Sequence, residues 1–156
     1  MKVSQNWLKE LVDINTTPEQ LSEKLSIGGF EVESLVDTSL KFKGIVLGKV
    51  LSVKKHNNSD KLSICNVDIG IEQLQIICGA NNVRSNIYVY VATVGTYLDN
   101  IDLTIKGSEI RGVYSKGMIC SLEELGLEEK SDGIAIVDNS VSQRFELGTQ
   151  ISELLD

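Results

Sequence analysis

Proline, histidine and aromatic residues are scarce in this sequence of 156 residues. It has one proline, one histidine and 5% aromatic side chains, while 42% of the residues are hydrophobic. Because apolar residues are plentiful and no low-complexity run occurs, the composition excludes a disordered chain. The length allows one medium domain, or one domain with a small appendage. No apolar run approaches the ~20 residues of a membrane-spanning helix, and the first residues do not form a secretory leader. We therefore expect a cytoplasmic protein.

Cysteine and histidine are too few, and too unevenly spaced, for a disulfide framework or a zinc site. The three cysteines, Cys65, Cys78 and Cys120, include no Cys-x-x-Cys pair, and His56 is the single histidine. We expect buried structural thiols. Phosphate-binding glycine loops and the Gly-x-Ser-x-Gly turn of hydrolases are also absent. The sequence therefore predicts no catalytic residue, no metal site and no cofactor within these residues.

The net charge of −7 conceals a basic middle segment. Residues 1–40 carry three basic against seven acidic residues, and residues 122–156 carry two basic against nine acidic residues. Residues 41–121 carry ten basic against six acidic residues, a balance of +4. The acidic total argues against a nucleic-acid binder, whereas the basic middle segment permits one. Any RNA contact is therefore predicted for residues 41–121.

The first 40 residues predict two helices followed by a strand. A first helix begins near Ser4 and carries its apolar side chains at helical spacing. The sequence Thr17-Pro-Glu-Gln is a capping box that starts a second helix, and Gly28-Gly29 ends it. Phe30–Val36 alternates as a strand does. This unit is too small to bury a core alone, so it must pack on something else.

From residue 42 onward the apolar period changes to two, which predicts short strands. Asn57–Asp60 reads as a turn, Ser121 and Glu124 as a capping box, and Gly148–Thr149 as the start of a final helix. Short strands at regular spacing favour a small antiparallel barrel, so the predicted class is α+β, mainly β. The predicted strands lie within residues 42–53, 62–67, 74–78, 88–94, 101–105 and 133–137.

Two basic, turn-forming segments are the candidate functional site. Residues 54–62 place lysines on both sides of a turn, and residues 105–118 combine three basic side chains with glycines that let backbone N–H groups approach a phosphate. Few aromatic residues are available for stacking bases, so recognition of backbone and shape is favoured over sequence readout. The alternative is that the lysines are only solvated residues at strand ends.

Each candidate residue has a chemical reason for its choice. Lysine and arginine supply phosphate contacts, Asn58, Asn81 and Ser115 can reach sugar or base edges, and His56 and Tyr114 are candidates for stacked bases. The predicted RNA-binding residues are Lys55, His56, Asn58, Asp60, Lys61, Asn81, Lys106, Arg111, Tyr114, Ser115 and Lys116.

These segments also carry a resemblance. Lys55-His-Asn-Asn-Ser-Asp-Lys-Leu, Cys78-Gly-Ala-Asn-Asn-Val-Arg and Ile110-Arg-Gly-Val-Tyr-Ser-Lys-Gly-Met-Ile-Cys-Ser resemble the tRNA-binding OB-domain family. The opening Met1-Lys-Val-Ser-Gln-Asn-Trp-Leu-Lys-Glu-Leu-Val is similar to the start of bacterial phenylalanyl-tRNA synthetase β chains. Two departures occur: Asn57 stands where the family has proline, and Tyr97–Ile101 replaces a glycine-rich tip.

The resemblance implies an OB-fold barrel inserted in a small helix-helix-strand domain. The implied boundaries are 1–39 for the first part of that domain, 40–147 for the OB domain and 148–156 for the return into the first domain. It also implies tRNA and a synthetase α chain as partners in an α2β2 ligase that uses ATP and Mg²⁺, with no membrane or DNA partner. A structural module for assembly, with incidental RNA contact, and a free-standing structure-specific tRNA-binding protein are the alternatives.

Overall fold

A computed structural model describes residues 1–155 of the chain, in which four short helices accompany ten strands. The helices are α1 (Gln5–Leu11), α2 (Pro18–Ile27), α3 (Thr38–Lys41) and α4 (Ile151–Leu154), with 3-10 turns at Asp99–Ile101 and Asn139–Gln143. The strands are β1 (Ile45–Lys55), β2 (Ser63–Asp68), β3 (Gln73–Cys78), β4 (Tyr88–Ala92), β5 (Tyr97–Leu98), β6 (Leu103–Thr104), β7 (Ser108–Ile110), β8 (Val113–Ser115), β9 (Met118–Ile119) and β10 (Ile136–Val137).

The first two helices begin where the sequence predicts them. The Ser4 hydroxyl accepts a hydrogen bond from the Trp7 amide at the start of α1. Thr17 and Gln20 form both hydrogen bonds of the capping box at the start of α2, each 3.3 Å long. These bonds satisfy amides that lack a partner inside the helix. The predicted helices are therefore confirmed, although neither contains a buried residue.

The strand predicted over Phe30–Val36 is wrong. These residues form no regular element, and Phe30, Leu35 and Val36 are exposed. A strand requires a partner strand for its amides and carbonyls. None of the strands in residues 1–155 pairs with this segment. Alternation of apolar residues was therefore not enough to form a strand here.

The strands from residue 45 onward form a nearly closed antiparallel barrel. The order in the main sheet is β10-β4-β1-β2-β3, and β9 also pairs with β4, next to β10 on the edge opposite β1. β1 is long enough to pair with both β2 and β4, and its register shifts at a bulge between Val50 and Ser52. Bulges of this kind bend a strand and let a small sheet curl. The predicted fold, mainly antiparallel β, is confirmed.

Two layers of apolar side chains fill the barrel and its adjoining face. One layer contains alternate residues of β1–β4, and the other joins Phe42, Leu98 and Leu125 to Ile151 of α4. Cys65, Cys78 and Cys120 are buried free thiols in these layers. Burial raises the pKa of Cys65 and Cys120 to about 12. These thiols are therefore protonated packing groups at neutral pH.

The segment after residue 147 packs against β1. The Gly148 amide donates to Leu47 O, and the Leu47 amide donates to Thr149 O. The predicted final helix is present as α4, and the Ser121–Glu124 capping bonds form in a turn instead of a helix.

The boundaries 1–39, 40–147 and 148–156 stay predictions, and Asp156 lies outside the described residues. None of the helices in residues 1–155 combines the length and apolar character needed to cross a membrane.

Candidate functional site

A tight turn joins the long first strand to the second. Lys55 pairs with Ser63, and the His56 amide donates to Leu62 O, so the chain reverses over residues 56–62. The Ser59 amide donates to His56 O, and the Lys61 amide donates to the Ser59 hydroxyl. This is the turn predicted from Asn57–Asp60. The turn places Lys55 and Lys61 at the end of the sheet.

The second basic segment forms a hairpin from β7 and β8. Ser108 pairs with Ser115 and Ile110 with Val113, which leaves Arg111 and Gly112 as a two-residue turn. Both have left-handed backbones, with φ values of 51° and 86°. Two-residue hairpin turns of this hand require positive φ at both positions, which suits glycine and strains an arginine. The hairpin tip is therefore the most constrained part of this segment.

Three hydrogen bonds join the turn to the hairpin tip. His56 Nε2 lies 3.1 Å from Ile110 O, and Asn58 Nδ2 donates to Arg111 O at 3.1 Å. The Arg111 guanidinium donates to Asn58 O at 3.3 Å. Two segments that lie about 50 residues apart in sequence therefore form a continuous surface. We call residues 55–61 and 108–116 the turn–hairpin surface.

The hairpin also lies along β3. The Lys116 amide donates to Gln75 O, and the Gln75 side chain donates to Tyr114 O at 2.7 Å. The Ser115 hydroxyl accepts from the Ile77 amide and donates to Gly117 O. Ser115 is only 3% exposed, so its hydroxyl serves the attachment of β8 to β3 and does not face solvent. The reach toward RNA that was predicted for Ser115 is not available in this arrangement.

The basic side chains of the surface differ in how freely they face solvent. Lys55 pairs with Asp60 at 2.8 Å, and Lys116 pairs with Glu72 at 2.8 Å. The hydrogen bond and charge of Glu72 raise the pKa of Lys116. Lys61 and Arg111 are exposed beside them. Exposed ion pairs are weak, so a phosphate can displace Asp60 or Glu72 from its lysine.

The remaining candidates differ in their exposure and in whether they belong to the turn–hairpin surface. Tyr114 is 55% exposed on β8, where its ring can meet a base, whereas His56 is 2% exposed. Asn81 is exposed in the loop after β3, whose last residue, Cys78, pairs with Ser63 beside the turn. Lys106 is exposed before β7, at the end of the hairpin opposite its tip. The structure therefore brings together every candidate except Lys106 and Asn81, and it buries His56 and Ser115.

Two residues that contact the turn–hairpin surface were missed by sequence reasoning. Gln75 bonds to the hairpin from β3, and Glu72 neutralises Lys116 from the loop before β3. Gln75 alternates with buried Leu74 and Ile76, so an outward position could be inferred from the period of two, although its partner could not. Glu72 carries no local signal, because its partner lies 44 residues away.

A metal centre is not among the features of residues 1–155. No group of three or more histidine, cysteine, aspartate or glutamate side chains in that range is placed to hold a metal ion. The chemistry that the described surface offers is charge, hydrogen bonding and one exposed aromatic ring.

Comparisons with known proteins show what the chain is similar to. The family described as "Putative tRNA binding domain" matches residues 45–145. The chain is similar to phenylalanine–tRNA ligase β subunits: that of Prochlorococcus marinus subsp. pastoris (strain CCMP1986 / NIES-2087 / MED4) is 73% identical over 157 residues, and that of Synechococcus sp. (strain CC9902) is 52% identical over 155 residues. The alignments cover 100% and 99% of this chain and 19% of each relative, so the chain spans about a fifth of the length of these relatives.

A solved structure supports the fold independently. The MetRS-related protein from Pyrococcus horikoshii superposes with a TM-score of 0.52 at 21% identity, covering 75% of this chain and 97% of that protein. At this identity the likeness concerns the fold alone. It shows that the barrel is a recurrent architecture.

Proposed function

Since the chain belongs to the tRNA-binding domain family, we propose that its barrel binds tRNA through the turn–hairpin surface, as an accessory module of a phenylalanine–tRNA ligase β subunit. The membership rests on the match over residues 45–145. The ligase context rests on the similarity to β subunits, of which this chain spans about a fifth. The proposed module contributes binding and no catalysis.

One observation carries the proposal. The turn and the hairpin tip, the two segments richest in candidate phosphate contacts, are joined by three hydrogen bonds. A rigid surface with Lys61 and Arg111 exposed can meet a sugar–phosphate backbone without ordering either segment first. Lys55 and Lys116 join them when a phosphate displaces the carboxylates of Asp60 and Glu72. Tyr114 offers a single stacking ring beside these cations.

We propose separate roles for the candidate residues. Lys55, Lys61, Arg111 and Lys116 supply charge, whereas Asn58 and Ser115 hold the surface together through their hydrogen bonds. Asp60 modulates the charge of Lys55. Asn81 and Lys106 extend the surface at its two ends.

The partners of the longer protein are also proposals. A β subunit of this enzyme class implies a synthetase α chain in an α2β2 assembly, a cytoplasmic location, and ATP and Mg²⁺ as cofactors elsewhere in the enzyme. No step of the proposed tRNA binding uses a metal, and none of the candidate residues is assigned to one.

A role in assembly is the second candidate, and one observation favours it. Trp7, Leu11 and Phe30 are exposed apolar residues on a strongly acidic segment, which suits a protein partner better than RNA. Mixing the chain with the α chain in the absence of tRNA tests this candidate. Co-sedimentation that survives Arg111→Ala but is lost with Trp7→Ala supports assembly through the first segment.

Salt-dependent titration tests the proposed tRNA binding. The chain is titrated with a tRNA specific for phenylalanine at several salt concentrations, and the slope of log affinity against log salt is measured. Lys61→Ala and Arg111→Ala should each weaken binding and reduce the slope by about one, because each removes one phosphate contact.

Lys24→Ala is the matched control for this titration. It removes one exposed lysine from α2, far from the proposed surface in sequence, so the affinity and the slope should stay as in the unmodified chain. If all three variants weaken binding equally, the attraction is a general effect of net charge. If the unmodified chain binds no better than an acidic control protein at low salt, the proposal is wrong.

A further inference from the structure

We propose that His56 is a positioning residue, which acts through Asn58 and Ile110 to fix the geometry of the turn–hairpin surface and does not stack on a base. This inference rests on the proposed function, because it assigns a role within the same tRNA-binding surface. It departs from the stacking role that the sequence suggests for His56. The ring is 2% exposed, so neither of its faces is open to a nucleotide.

Both ring nitrogens are engaged, and their partners require one tautomer. The Asn58 amide donates to Nδ1 at 3.0 Å, so Nδ1 must carry no hydrogen. Nε2 lies 3.1 Å from Ile110 O, which can only accept, so Nε2 must carry the hydrogen. The neutral imidazole with its hydrogen on Nε2 is the single form that makes both bonds.

The two bonds place His56 at the centre of the contact between the segments. Through Nδ1 it fixes the backbone of Asn58, and through Nε2 it fixes the residue before the hairpin tip. Asn58 then donates to Arg111 O, and the Arg111 side chain donates back to Asn58 O. The left-handed backbone of Arg111 is unfavourable for a non-glycine residue and persists because its surroundings hold it. His56 is thus the buried support of the exposed Arg111.

A phenylalanine at this position separates the two roles. His56→Phe keeps an aromatic ring of similar size but removes both hydrogen bonds. A stacking residue tolerates this change, because every aromatic ring offers a face to a base. A positioning residue does not, so we expect the affinity for phenylalanine-specific tRNA to fall by about tenfold. The salt slope should stay within the error of the unmodified chain, since no phosphate contact is removed.

A glutamine provides the conservative rescue. The side-chain amide of His56→Gln can donate to Ile110 O from the position of Nε2, so about half of the lost binding free energy should return, a loss near threefold instead of tenfold. Far-UV circular dichroism and the urea midpoint of both variants establish that the barrel is folded.

A spectroscopic measurement on the unmodified chain keeps the inference testable even if the phenylalanine variant does not fold. The ¹⁵N shifts of the His56 ring at neutral pH should show a protonated Nε2 and an unprotonated Nδ1, before any tRNA is added. The opposite tautomer, or a rapidly exchanging mixture, overturns the inference.

The possible failures are distinguishable. An unmodified chain that does not bind tRNA overturns the proposed function and, with it, the role of His56 in binding. An unmodified chain that binds tRNA, together with His56→Phe of unchanged affinity, overturns only the positioning role. Loss of affinity in His56→Phe, partial recovery in His56→Gln and the expected ring shifts together support it.

Discussion

Residues 1–41 and the barrel that follows them use apolar side chains in opposite ways. None of residues 1–41 is buried, and Trp7 and Leu11 are 54% and 65% exposed. From Phe42 onward, apolar residues at alternate strand positions fill two buried layers, and Leu47 is fully buried. Both regions nevertheless have regular local structure. Capping hydrogen bonds start the helix of the first region, and backbone hydrogen bonds between strands align the strands of the second.

Regular local structure and a buried core have different requirements in this chain. Caps and spacing are local properties, so α1 and α2 form where the sequence predicts them. A core needs facing partners, and the described residues supply such partners to the barrel but not to the apolar side of the first segment. The expectation that other parts of a longer chain complete the first domain stays a prediction.

Truncating an apolar residue should matter only within the barrel. Leu47→Ala, near the start of β1, should lower the free energy of unfolding by about 2–5 kcal/mol, because it removes contacts and leaves a cavity. Leu11→Ala is the matched control and should change it by less than about 0.5 kcal/mol. Urea unfolding followed by circular dichroism measures both. Similar losses in the two variants would mean that the first segment has a core of its own.

The missing side chain at Gly48 is a second test. A Cβ at this position would lie 2.7 Å from Val91 Cγ2 and 3.0 Å from Val67 Cγ1, inside the barrel. Gly48→Ala should therefore cost about 1–3 kcal/mol through overpacking. Gly28→Ala, at the end of α2, is the control from the first segment. Its Cβ would lie 3.3 and 3.4 Å from the Lys24 and Leu25 carbonyl oxygens, which is tight but less close than at Gly48, so the loss of stability should be smaller. An unchanged free energy of unfolding in Gly48→Ala would show that Val91 and Val67 move aside readily.

Alkaline pH should destabilise the barrel specifically. Burial raises the pKa of Cys120 from 9.0 to about 12, so the thiol ionises in the unfolded chain before it does in the folded chain. Stability is therefore full below pH 9 and falls between pH 9 and 12, by at most about 1.4 kcal/mol per pH unit for this thiol. Denaturant titrations at several pH values measure how steeply the free energy of unfolding falls with pH. Cys120→Ala should make that slope shallower, and an unchanged slope would assign the loss to other groups.

Removal of the first segment should have the smallest effect. Deleting residues 1–36 discards no buried residue and keeps Asp37, whose side chain caps α3. The urea midpoint and the affinity for tRNA should both stay close to those of the whole chain, with a change in stability below about 0.5 kcal/mol. A large loss in either quantity would reveal support that the barrel receives from this segment.

Local signals in the sequence were sufficient for most of the barrel. The period of two identified β1, β2, β3 and β4 to within a few residues, and Asn57–Asp60 marked the turn between β1 and β2. The same reasoning failed for Phe30–Val36, because alternation cannot say whether a neighbouring strand exists. The strand predicted over residues 101–105 is shorter in the structure, where it covers only Leu103–Thr104. It is shorter because Asp102 adopts a left-handed backbone after a 3-10 turn.

Candidate residues could be chosen from the sequence, and their roles stay predictions, but their arrangement could not be inferred. The basic segments were found from charge and glycine content, and the resemblance supplied the candidate residues. The β7–β8 hairpin and its bonds to Asn58 were not foreseen, because these contacts join residues about 50 positions apart. For the same reason, nothing local indicated that His56 and Ser115 would be buried.

The attachment of Gly148 and Thr149 to Leu47 has a consequence for how the barrel folds. These residues meet about 100 positions apart, so a long loop must close before β1 gains this last neighbour. Contacts of such separation slow folding toward the millisecond-to-second range, and they form late. During synthesis, β1 is made long before residues 148–151, so the first residues of one edge, which β2 does not cover, stay unpaired. The nascent chain therefore carries a short open strand edge until residues 148–151 have been made.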